Sequence, residues 1–162
     1  MATVKKTNAR KLPNPGFGGA APYGNAIILP YDLETNASGV LEASDQATAL
    51  IVADKVILGV LPRGMLITDI LVRISDAFTA STTIDLGFEY VDGTDVTAVP
   101  QDADSFVDGG STAALGVLRM STTNKPVLLP KDAYLIATIG GATHASAGKA
   151  DIFVIGLNKG VG

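Results

Sequence analysis

The chain of 162 residues predicts an all-β fold, a sandwich or small barrel of antiparallel strands. Three observations carry that expectation. Aliphatic runs of five to nine residues recur between clusters of Gly, Pro, Asn and Asp. Several of these runs alternate with the period of two that a half-buried strand requires. Sustained helical periodicity is absent, and only "LEASDQATAL" (41–50) leaves room for a short helical turn.

Taken in order, "AIILPYDLE" (26–34) reads as the first strand, with Pro30 marking an edge, a bulge or the strand's end. "ATALIVA" and "KVILGVL" follow, split at Asp54. "MLITDILVRIS" is separated from them by the turn Pro62-Arg63-Gly64, and simple alternation sends Leu66, Thr68, Ile70, Val72 and Ile74 to the core. Met65, Ile67, Asp69, Leu71, Arg73 and Ser75 then share a mixed face.

"TTIDLGFEYVDG" alternates more cleanly, with Ile84, Leu86, Phe88 and Tyr90 on one side. Residues 95–111 read as a long acidic loop. "ALGVLRM", "KPVLLP", "AYLIATIG" and "KADIFVIGL" complete roughly nine strands. The unbroken apolar character of 56–61 and 135–139 predicts central strands covered on both faces.

Before these strands the chain has a different character. Lys5, Lys6, Arg10 and Lys11 place four positive charges and no acid in the first 11 residues, leaving 8 basic and 16 acidic groups for the remainder. "LPNPGFGGAAPYGN" follows, and its prolines and glycines suit neither helix nor ladder. The division expected is an extended basic arm over 1–24 and one β-sandwich domain over 25–162. Phe17 and Tyr23 give the arm apolar anchors, so it can be ordered by its own body or by a neighbour.

Composition narrows the chemistry. Zero cysteines exclude disulfides, thiolate catalysis and cysteine-held metals. Apolar residues make up 47% and charged ones 17%, which fits either a surface partly buried against partners or the weak charge usual in Ala-, Gly- and Thr-rich β-proteins. No uncharged apolar run reaches the roughly 18 residues of a membrane span, and the lysines near the N-terminus precede no apolar core, so neither a membrane partner nor a secretory signal is expected.

The single histidine, His144, lies in the small-residue loop "GGATHASAGK" and reads as a solvated loop residue, not the base of a hydrolytic triad. Gly16 to Ala21 matches a dinucleotide-binding pattern in letters only, because a proline-bearing segment precedes it and Pro22 follows. No cofactor is expected. In "DADSFVDGG" the acids Asp102, Asp104 and Asp108 offer oxygens for a calcium ion, but Phe106 stands where a third acid should be, and a solvated acidic loop is the plainer account. An acidic body without tryptophan gives no platform for nucleic acid, and the four arm cations suit an acidic protein surface better.

The stretch "VLPRGMLITDILVRISDAF", followed by "TTIDLGFEYVDGTD" and "DADSFVDGG", resembles a pattern of small structural proteins in tailed-bacteriophage virions, the head decoration or cement proteins. The matching residues are Leu61, Pro62, Gly64, Asp69, Ala77, Phe78, Asp85, Gly87, Phe106, Val107 and Asp108, and 125–156 look like the group's closing part. The resemblance spans most of 55–157 and excludes the arm. It implies a β-sandwich of jelly-roll type without enzymatic activity. It also implies attachment to the major capsid protein at the capsid surface after synthesis in the host cytoplasm, commonly as a homotrimer.

On this view Lys5, Lys6, Arg10, Lys11, Phe17 and Tyr23 are the expected capsid contacts, and Asp69 and Arg73 the expected subunit contact. Two other readings stand beside it: a non-catalytic carbohydrate- or receptor-binding module of a virion fibre or tail, and a hydrolase using carboxylates within 92–108. The first would expose Trp or Tyr, and the chain has no Trp and four Tyr. The second lacks an evident partner group.

Overall fold

The structure is a computed structural model, described here over residues 3–5, 25–121 and 124–159. Ten strands run in the order β1 (Thr3–Lys5), β2 (Ala26–Thr35), β3 (Lys55–Leu61), β4 (Met65–Asp76), β5 (Thr83–Tyr90), β6 (Asp102–Ser111), β7 (Gly116–Arg119), β8 (Val127–Leu128), β9 (Ala133–Gly140) and β10 (Gly148–Asn158). One sheet has the order β1-β3-β9-β5-β6, and the other β2-β10-β4-β7, with β8 also pairing β4. All pairings are antiparallel except that of β1 with β3. Among the described residues there is no helix.

The two sheets make a β-sandwich around one core. Leu86, Phe88 and Leu135 from the first sheet join Ile70, Val72, Ile152 and Val154 from the second in a single buried cluster. Phe88 is its aromatic hub, with ring centroids 5.7 Å from Tyr90 and 5.8 Å from Phe106. The Tyr90 hydroxyl donates to the Val99 carbonyl at 2.6 Å, so burying that ring leaves no orphaned hydroxyl.

Most connections pass from one sheet to the other. The turn after β3 does so in three residues: Gly64 sits at φ 76°, a conformation that favours glycine, and its N–H donates to Leu129 O at 2.8 Å. The Arg63 N–H donates to Asp132 Oδ1 at 2.8 Å, which ties the same turn to the start of β9. β3 and β9 lie inside their sheet, and their near-continuous burial agrees with the expectation for 56–61 and 135–139. Pro30 lies within β2, an edge strand, where a missing N–H is tolerated.

Four expectations are corrected. Residues 41–50 form no helical turn; isolated bridges Thr35–Leu41 and Val40–Ala49 shape them instead. The run 47–53 is not a strand. The stretch 102–111, expected within a loop, is β6: Phe106 and Val107 are buried, and the strand holds to β5 despite two register shifts. Asp85 explains part of that irregularity, since its carboxylate accepts the Gly109 N–H at 2.7 Å where Gly109 takes φ 58°.

The fourth correction is in β4. Its buried residues are Met65 and Ile67, then Ile70, Val72 and Ile74, so the alternation changes phase in mid-strand. β10 registers Ile155 with Asp69 and Gly156 with Ile67, leaving Thr68 as the extra residue of a bulge. The Thr68 hydroxyl donates to Ile155 O at 3.1 Å. Leu66 and Thr68 therefore leave the core, while Met65 and Ile67 enter it.

Candidate interaction surface

The residues singled out in the sequence fall in three places. Of the expected arm, the structure describes Thr3–Lys5, where Val4 is fully buried in the core. Lys6, Arg10, Lys11, Phe17 and Tyr23 lie outside the described residues, and Lys5 is described by its backbone in β1.

Asp69 and Arg73 lie on the outer face of the second sheet, as their alternation with Ile70 and Val72 requires. Cross-strand register builds that face in rows. Leu157 of β10 stands beside Leu66 of β4, which faces Leu128 of β8. Ile28 stands beside Ile155 and Asp69, and Pro30 beside Phe153 and Leu71. Asp32 stands beside Asp151 and Arg73, and Glu34 beside Lys149.

The face is thus apolar toward the Leu157 end and charged toward the Lys149 end. Asp69 pairs with Arg119 of β7, and Lys149 with Glu34 at 2.9 Å. The Glu34 carboxylate raises the pKa of the Lys149 ammonium above its ordinary value by hydrogen bonding and charge. Arg73 is exposed.

The acids of the former loop sit along β6, at the free edge of the first sheet. The pKa of the Asp104 carboxyl is raised by its hydrogen bond to Asp102, with the charges of Asp102 and Asp108 adding to the shift. Asp102, Asp104 and Asp108 are all exposed, so the pair is solvated and not held against a substrate cleft. Among the described residues no group of three or more potential metal ligands converges. Asp92 is held below the usual carboxylate range, first by its hydrogen bond from Lys131 at 2.8 Å, and that is opposite to what a general acid needs.

His144 is the chief departure from the sequence reading. It is fully buried, not solvated, with its ring 4.9 Å from that of Phe78 and neither ring nitrogen hydrogen-bonded. Burial pushes its pKa down to about 4. The loop around it locks three connections together. The His144 N–H donates to Leu50 O at 2.9 Å, the Ala145 N–H to Thr79 Oγ1 at 2.7 Å, and Thr35 Oγ1 to Ser146 O at 3.0 Å. Its bland neighbours "GGAT" and "ASAG" gave no apolar signal for burial, since the covering atoms come from distant turns.

No protein-family model matches the chain, and no curated relative matches it. Solved structures share its fold. A chain in the capsid of Ralstonia phage GP4 is similar at TM-score 0.61 and 12% identity, covering 99% of this chain and 100% of that one. A chain in the capsid asymmetric unit of cyanophage Pam1 is similar at TM-score 0.54 and 13% identity, covering 91% of this chain and 93% of that one. At such identities the likeness is one of fold.

Proposed function

We propose that this chain is a structural component of a tailed-phage virion that decorates the capsid and reinforces it without catalysis. The observation that carries the proposal is the end-to-end likeness of fold to a chain in a phage capsid. The strand order supports the jelly-roll reading, with β2-β10-β4-β7 facing β3-β9-β5-β6 and most connections changing sheet. The site chemistry agrees with a non-catalytic role. The sole histidine is buried with no partner to receive or deliver a proton, and Asp92 is tuned away from acid catalysis.

A decoration protein must hold many equivalent sites on a shell, and several weak contacts joined in one assembly achieve this by multivalency. The basic arm, with Lys5, Lys6, Arg10 and Lys11 as its cations and Phe17 and Tyr23 as its anchors, meets an acidic surface of the major capsid protein. Self-association, with a homotrimer as the order expected, multiplies those contacts. Asp69 and Arg73 belong to the subunit contact.

Val4 is part of the core, so deleting the arm would also damage the fold. The clean test replaces Lys5, Lys6, Arg10 and Lys11 by Gln and measures co-sedimentation with the phage's own undecorated shells. Occupancy is expected to fall at least tenfold at low salt, with the melting temperature little changed. Undiminished occupancy would remove the arm from the proposal, and wild-type protein that ignores shells would remove the proposal itself.

A further inference from the structure

We propose that the outer face of the β2-β10-β4-β7 sheet is the surface on which a second copy of this chain packs. A sandwich standing alone turns polar residues outward from each sheet. Here the outward positions at one end are apolar and open: Ile28 is 62% exposed, Leu128 43% and Leu157 40%, with Ile155, Phe153 and Leu71 half-buried between them. They are neighbours by cross-strand register, so they form one continuous patch and not scattered singletons.

The size suits the occupant. With strands about 4.8 Å apart and a rise of about 3.3 Å per residue, β2, β10, β4 and β7 at 10, 11, 12 and 4 residues give a face of roughly 600 Å². That is of the order of the ~800 Å² each partner contributes to a stable protein interface.

Charge selects a second copy as that occupant. Outside the first 11 residues the chain has 16 acidic and 8 basic groups, so most surfaces of two copies repel each other. This face carries cations among its acids, with Arg73, Arg119 and Lys149 standing beside Asp32, Glu34, Asp69, Asp76 and Asp151. Both signs lie on one patch, so a second copy can present acid to Arg73 and cation to Asp151.

The inference locates the self-association within the proposed function and rests on that reading, but it is measured without shells. Light scattering across a concentration series is expected to show an oligomer for the full-length chain. Ile28→Lys changes a side chain that is already mostly in water, so folding is preserved. It is expected to weaken association at least tenfold, and Ile155→Lys, nearer the patch centre, more strongly. Val52→Lys is the control, because Val52 is 48% exposed but lies in the β2–β3 loop, off this face.

A monomeric wild type, variants with the wild-type mass, or an equal loss in Val52→Lys would each overturn the assignment. Failure of shell binding with the oligomer intact would instead count against the decoration reading alone.

Discussion

The two outer faces of the sandwich treat their apolar side chains in opposite ways. On the first sheet, Ile57 and Ile136 form a small cluster with Tyr134 and are only 4% and 3% exposed, so it is closed within the chain. Around it stand polar outward residues, including the Lys55–Glu89 pair at 2.6 Å. On the second sheet the outward apolar side chains remain open to solvent. The same residue types thus stabilise the fold on one face and stay available for a partner on the other.

The contrast breaks most visibly by charging each face in turn. Ile136→Asp places an unpaired carboxylate in a closed cluster, and an expected loss of about 3 kcal/mol or more would appear in urea denaturation. The equivalent change at Ile28 is expected to alter folding stability by less than about 0.5 kcal/mol, because most of that side chain is already in water in the single chain. Equal losses at the two positions would erase the distinction between the faces.

Acid tests the loop end of the sandwich, independently of either face. The pKa of His144 falls from 6.5 in the unfolded chain to about 4 in the folded one, so protonation favours unfolding. Its contribution to stability is complete above pH 6.5 and declines as the pH falls toward 4, by about 3 kcal/mol in all. His144→Met is expected to flatten that part of the pH profile, measured by thermal unfolding. An unchanged profile would show that the ring is not buried in its neutral form.

A small effect is expected at the ion pairs. Arg119→Ala removes the partner of Asp69 on a half-open surface, and a loss below about 1 kcal/mol that shrinks with added salt is expected from chemical denaturation. A larger, salt-independent loss would mean that Asp69 stabilises the fold, and would weaken its assignment to a subunit contact.

Much of the sandwich was legible from local pattern. Ile84, Leu86, Phe88 and Tyr90 are buried as their alternation requires, because β5 meets β9 in unbroken register. β6 was not legible: its acids and glycines carry little strand propensity, and it is held extended by tertiary contacts, chiefly pairing with β5 and burial of Phe106 and Val107. The candidate face was half legible. Asp69, Leu71 and Arg73 were placed together by parity, but Ile28, Phe153 and Leu128 joined them only through pairing between distant strands.

The sequence by itself determined the class of fold, the asymmetry between a basic N-terminal segment and an acidic remainder, and the poverty of catalytic groups. All three follow from residue types and short-range periodicity. The tertiary structure decided the bulge at Thr68 that turns Leu66 outward, the burial of His144, and which apolar side chains lie covered and which lie open. Each depends on which distant strand or turn lies alongside, and a period of two cannot carry that information through an inserted residue.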